Sequence, residues 1–334
     1  MKRDGHMIGQ TMLRLLISLL TTGAILAAGP GVAKTKDAAN GWGAGQVEVT
    51  APGSAQDPAY AAFEKRRYME AKKLAEKIAE KDGPSNVLLG MIYEQGLGVP
   101  QDQTKAAEIY LRGAQLGDPH AQFAVGVMLA EGRGITQNKA QAARFFEMAA
   151  AQNHDTALYN LALIYVEGDA RPEDLEKAAE LMERSAKLGN IAAQFDLAAI
   201  YKTGRGVRLD ERKAAYWIGK AAETGMSNAE LEYGIALYLG KGVKKDEAKG
   251  FKMIRSSAEK GNPVAQNRLA HAYVGGLGVE KDWVAAAKWH LLSRQAGVSD
   301  FALDKFLASL TPEERKKAEK SAYDWEQQTS ALLQ

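Results

Sequence analysis

Apolar and small residues return along this chain at one long, fixed step, and inside each step they return at helical spacing. Leu89, Val125, Leu161, Leu197, Tyr233 and Leu269 lie 36 residues apart. Tyr93, Leu129, Tyr165, Tyr201, Leu237 and Tyr273 form a second column four residues on. Ala121, Ala157, Ala193, Ala229 and Ala265 form a third, four residues before the first. Small, large and aromatic residues at i, i+4 and i+8 describe one face of a helix. A further column, Ala106, Ala142, Ala178, Ala214 and Ala286, belongs to a second segment and is small enough for close helix contact.

The polar positions mark where these helices begin and end. Asp102, Asn138, Asp174, Asp210, Asp246 and Asp282 precede the second segment of each unit, and their short side chains accept from the free N–H groups of a helix start. Gly117, Asn153, Gly189, Gly225, Gly261 and Gly297 close it, since Gly and Asn tolerate the left-handed conformation that ends a helix. Pro119 and Pro263 follow Asp118 and Asn262, a cap and then a first-turn proline. Each unit therefore reads helix, glycine turn, helix, short turn. The pattern predicts an all-α fold, an α-solenoid superhelix of stacked antiparallel helix pairs, with six repeats over residues 82–297. Residues 57–81 predict a shorter helical pair that caps the N-terminal end. Residues 298–334 predict C-terminal capping helices, the second opened by a capping box of Thr311, Pro312 and Glu314.

The glycine pairs that start at 96, 132, 204, 240 and 276 invite a phosphate-loop reading. That reading fails on context. No strand precedes any copy, and none continues into Gly-Lys-Ser or Gly-Lys-Thr. The glycines serve the backbone, and no cofactor is expected. In the third unit "GDARPED" stands where the others have Gly-x-Gly-Val, so its turn is expected to differ.

Alanine at 121, "VG" at 125–126, glycines at 132 and 134 and "KAAYWIGKAAETG" from Lys213 resemble Sel1-like repeats, relatives of the tetratricopeptide repeat. The match covers about two thirds of the chain, is best kept by the units starting near Asn190 and Met226, and agrees over several columns and six copies. Cysteine-rich members staple each repeat with a disulfide, and this chain has no cysteine. The resemblance implies a non-enzymatic scaffold that binds a protein or peptide. Some exported members restrain membrane sensor kinases, as in the control of exopolysaccharide synthesis, and others assist envelope assembly or interaction with host cells. A structural envelope protein with no specific ligand is one alternative, and cell-envelope enzymes of the penicillin-binding or β-lactam-hydrolysing kind are another class. Its signature survives here only in fragments, Ser257 with Lys260 and Lys202-Thr203-Gly204, in the wrong order and without Ser-Asp-Asn.

By similarity to tetratricopeptide repeats, groove positions lie two before the conserved leucine, two after it, and five and six after it. The first column reads Val87, Phe123, Tyr159, Phe195, Leu231 and Asn267. The second reads Met91, Val127, Leu163, Ala199, Ile235 and His271. The later positions include Glu94, Glu131, Glu167, Lys202 and Tyr238. These residues share a helix face distinct from the packing face. Phe123, Tyr159 and Phe195 would form an aromatic stripe bordered by Glu94, Glu131 and Glu167, suited to a peptide. Tight curvature of the stack would instead bury the same rings between repeats, and both readings stay open on sequence alone.

Charge and leader change the picture less. The net charge of +2 is carried by Lys2, Arg3 and Arg14 against Asp4, and the rest balances, which argues against nucleic acid as a partner. Those basic residues precede an apolar run over 15–28 and small residues ending at Ala33. Residues 1–33 thus read as a signal peptide, 34–56 as a flexible linker, and the protein as periplasmic or secreted, touching a membrane only through an uncleaved signal. Among five histidines, His6, His120, His154, His271 and His290, no pair has metal spacing on one helix face, so no metal is expected. The neighbouring carboxylates Glu173 and Asp174, or Glu313 and Glu314, point apart on a helix. No small-molecule substrate follows from any of these.

Overall fold

A computed structural model describes residues 57–331. The signal peptide and the linker expected over 1–33 and 34–56 lie outside the described residues, as do 332–334. Among the described residues there are sixteen helices and no strands. The fold is an all-α repeat solenoid.

The chain divides into two compact units that meet in sequence between Asn190 and Ile191, a repeat boundary. In the N-terminal unit, α1 (Pro58–Glu64) and α2 (Tyr68–Glu76) form a pair of shorter helices. Three helix pairs follow: α3 (Gly83–Gln95) with α4 (Gln103–Gln115), α5 (Pro119–Glu131) with α6 (Lys139–Ala151), and α7 (Asp155–Glu167) with α8 (Leu175–Lys187). The C-terminal unit repeats the plan with α9 (Ile191–Thr203) and α10 (Glu211–Glu223), α11 (Ser227–Leu239) and α12 (Glu247–Glu259), and α13 (Pro263–Gly275) and α14 (Trp283–Gln295). It ends in α15 (Phe301–Ser309) and α16 (Pro312–Ala331), both packed on α14.

The polar columns fulfil their predicted roles. The side chains of Asp102, Asn138, Asp174, Asp210, Asp246 and Asp282 each accept from backbone N–H groups of the first turn of the following helix. Thr311 and Glu314 exchange the two bonds of a capping box at the start of α16. Asn153 adopts the left-handed conformation that glycine holds at the same position elsewhere. Packing follows the small residues. Ala121, Ala157, Ala193, Ala229 and Ala265 have no exposed surface at all, so the helices approach until only a methyl group fits.

The second glycine of three pairs, Gly134, Gly242 and Gly278, has a tertiary reason. Gly134 has φ +66, and a Cβ there would lie 2.1 Å from the carbonyl oxygen of Gln103, the first residue of the preceding repeat's second helix. Gly242 repeats the arrangement against Glu211 in the C-terminal unit. In the third repeat Ala170 occupies this position, and within that turn only Gly168 keeps a positive φ. The close backbone approach gives way to side chains: Asp169 pairs with Lys139 at the corresponding helix start, and Arg171 pairs with Glu147 at 3.0 Å. The altered turn expected from "GDARPED" is thus present.

At the C-terminal end, Leu303 and Ala322 join a core that contains Leu269, Trp289 and Leu292. Leu307, Leu310 and Ala318 close over Ala287. The last repeat's apolar face is covered, as a cap requires. Among the described residues no helix is long and apolar enough to cross a membrane.

Candidate protein-binding face

The first helices of the repeats carry the positions at issue, and burial sorts them into three classes. Val87, Phe123, Val127 and Leu231 are core residues, with Phe123 only 3% exposed. Met91, Tyr159, Leu163, Phe195, Ile235, Tyr238 and His271 are half-buried, and Glu167, Ala199 and Lys202 are exposed. An uninterrupted open aromatic stripe is therefore not what these residues make. At Phe123 the inter-repeat packing reading holds.

In the N-terminal unit the cause is visible at one ring. Phe123 stacks on His154 with ring centroids 4.7 Å apart, and leans on Phe146 at 5.8 Å. His154 is the residue before α7, and its Nδ1 accepts from the Ala157 N–H at 3.2 Å. It does with an imidazole what Asp118 does with a carboxylate one repeat earlier. Burial, and then the His120 ring beside it, push the His154 imidazole down to about 4. The neutral ring is both the cap and the lid over Phe123.

The acidic border of this unit is not a free row either. Arg133, between the two glycines of the second repeat's turn, donates to Glu94 at 2.6 Å and also to Glu131. The buried phenol of Tyr110 donates to the other oxygen of Glu94 at 2.7 Å. Burial and then Glu94 hold the Tyr110 hydroxyl well above its ordinary range. Burial disfavours the Arg133 cation, but its bond to Glu94 and the charge of Glu131 outweigh that. Two of the three predicted border acids are thus spent on one arginine from the loop. Glu167 keeps an exposed surface, although its carboxyl is partly desolvated, and that desolvation, followed by Asp169, raises it.

In the C-terminal unit the same columns meet different partners. Phe195 and Ile235 are half-buried beside exposed Ala199. Lys202 reaches Glu232 of the next repeat at 3.1 Å. Tyr238 donates to the Leu277 carbonyl of the following turn at 2.8 Å, and burial, then Glu247, push its hydroxyl up to about 12. His271 and Asn267, the last members of the two columns, both bond Asp300, at 2.7 and 3.1 Å. Asp300 also caps α15 through the Ala302 and Leu303 N–H groups. Burial opposes its charge, but His271, the Leu303 N–H and Asn267 together hold the carboxyl far below the usual carboxylate range. The cap thus sits on the face at its final repeat, and His271 is a structural contact there.

Arg133 and Asp300 are the two residues that sequence reasoning passed over. Arg133 falls in a variable loop column, where the other copies have Leu97, Asp169, Arg205, Lys241 and Leu277. Asp300 stands beyond the last repeat, outside the period. The enzyme fragments fare worse. Ser257 is wholly buried and donates to the Ser227 carbonyl at 2.8 Å. Lys260 is held by Glu230 and the Gly225 carbonyl, both at 2.7 Å. A nucleophile must meet its substrate, and this serine does not reach the surface. Among the described residues no cluster of His, Asp and Glu is arranged to hold a metal.

A family model described as Sel1 repeat matches six stretches, residues 84–118, 119–154, 156–190, 191–226, 227–262 and 263–298. Among solved structures, a Sel1 repeat protein from Oxalobacter formigenes is 27% identical, with 73% of this chain and 99% of that one covered and a TM-score of 0.58. A protective antigen present in uropathogenic Escherichia coli strains, displaying an SLR fold, is 28% identical, with 82% and 68% covered and a TM-score of 0.53. No curated protein matches the chain.

Proposed function

This chain belongs to the Sel1 repeat family, whose members are generally protein-interaction scaffolds, and we propose that it is an exported one that holds a segment of a partner protein on its first-helix faces. The observation that carries the reading is the set of half-buried apolar side chains left there: Tyr159 and Leu163 in the N-terminal unit, Phe195 and Ile235 in the C-terminal unit. Each already packs on one side and has surface left on the other, as an interface anchor needs. Exposed Glu167 borders the first of these pairs and exposed Lys202 the second, so each has a charged neighbour at its own edge. The more specific role is restraint of a membrane sensor kinase of the exopolysaccharide-control type.

The test is site-specific photocrosslinking in cells. Benzoylphenylalanine at Ala199 or at Glu167 should trap one and the same protein, while the probe at Tyr216, exposed on a second helix, should not. Equal trapping from all three positions would remove the first-helix face as the site. Sequencing the N-terminus of the protein from a periplasmic fraction tests export, with Lys34 as the expected first residue. Deletion of the gene should raise autophosphorylation of the trapped kinase; a trapped protein that is not a kinase would reject the specific role and leave the scaffold.

A further inference from the structure

The C-terminal unit contains a cleft of about 380 Å³ bordered by α12, α13, α14 and α16, away from the first-helix columns. Its volume falls in the range that holds a small organic group. Trp289 and Trp325 meet edge to face with centroids 5.7 Å apart and form an apolar corner. The charged residues along the cleft are not equivalent. Arg255 donates to Glu259 at 2.7 Å, and Asp282 accepts from the Ala285 N–H as the cap of α14. Lys288 is half-buried, and its Nζ lies 4.7 Å from the Trp289 ring. No carboxylate among the described residues lies within ion-pair distance of it. Burial lowers the affinity of that amine for its proton, while Glu259 partly restores it. An ammonium held against an indole with no counter-ion is completed by an incoming anion.

We propose that this cleft binds an apolar monocarboxylate, with the carboxylate on Lys288 and its ring or aliphatic body against Trp289 and Trp325. A single negative charge fits because Arg255 is taken by Glu259, Lys288 offers one positive charge, and Asp282 on the same cleft disfavours the second charge of a phosphoryl group. A neutral apolar group would leave the Lys288 ammonium desolvated and unpaired. The carboxylate has two possible sources, a free organic acid or the last residue of a polypeptide. The site is separate from the first-helix face and does not depend on it.

The experiment follows the indole N–H signals of Trp289 and Trp325 in the full mature chain, with those of Trp217 and Trp283 as references. The probes are 3-phenylpropionate, a hexaglycyl-phenylalanine peptide with a free carboxyl, and the amide of each. At least one free acid should shift both cleft signals along a saturating curve, with Kd on the order of 1 mM for a ligand this small. Its amide should bind at least about tenfold more weakly, and Lys288→Gln should cost a similar factor while Lys288→Arg keeps binding. Ser321→Phe, which fills the cleft from α16, should abolish the shifts in a protein with an unchanged melting curve, so the test survives if Lys288→Gln folds poorly. Response to the peptide alone assigns a polypeptide end, and response to the small acid assigns free acids. Amides that bind as well as acids, shifts that persist in Ser321→Phe, or silence from all four probes would overturn the proposal.

Discussion

The two units are built from the same repeat, three copies each, yet they spend the same columns differently. In the N-terminal unit the first-helix face is tied together from inside. His154 lies over Phe123, and Arg133 draws Glu94 and Glu131 into one network with Tyr110. In the C-terminal unit the face is closed from its end, where Asp300 of the cap takes His271 and Asn267. A histidine caps a helix in one unit and meets a cap's carboxylate in the other. Position in the repeat fixes the direction in which a side chain points, and the neighbour decides its use.

The largest expected effect separates buried from half-buried members of one column. Phe123→Ala should cost about 3–5 kcal/mol, because it removes a ring from a packed site and leaves a cavity. Phe195→Ala should cost clearly less, since that ring keeps exposed surface. Urea denaturation of both variants gives the comparison, and equal losses would erase the distinction drawn between the units.

Next come the turns. Gly134→Ala should cost about 3 kcal/mol, combining left-handed strain with overpacking against Gln103. Gly189→Val, at a closing position with φ +102 and open space around it, should cost about 1–2 kcal/mol from strain alone. The order of the two is the checkable point. A reversed order would mean that the tight backbone approach of Gly134 is relieved at little cost.

The pH prediction belongs to the N-terminal unit alone. The His154 imidazole titrates near 4 in the fold against 6.5 unfolded, so the unfolded chain binds more protons between those values. The stabilisation is complete above pH 6.5 and declines as pH falls toward 4, by on the order of 3 kcal/mol if the ring stays dry. His154→Asn keeps an acceptor for the Ala157 N–H and should flatten this window. Melting temperatures of both proteins at pH 7, 6, 5 and 4 test it, and parallel curves would remove His154 as the source.

The smallest effect is expected at Lys202. Lys202 is largely solvated and its partner Glu232 is about half exposed, so Lys202→Ala should change stability by less than about 0.5 kcal/mol. If the same variant reduces crosslinking from Ala199, its role lies in the partner and not in the fold.

Over the described residues the sequence by itself determined the helices, their ends and their number. Capping and left-handed closure depend on residues within one turn of each other, and a 36-residue period repeats them six times. It also marked the third turn as different, because the residue type allowed at a positive φ is a local matter. The partition of the groove columns was decided only by tertiary structure. Phe123 and Phe195 are the same residue at the same position of the repeat. One is sealed because a histidine happens to cap the next helix, and the other keeps surface. Glu94 and Glu131 look like a free acidic rim until a loop arginine 39 residues from Glu94 arrives between them. His271 looks unpaired until Asp300, which belongs to no repeat, takes its ring nitrogen. Burial and charge pairing are properties of the neighbours a fold brings together, and a periodic sequence states the positions without stating who stands opposite.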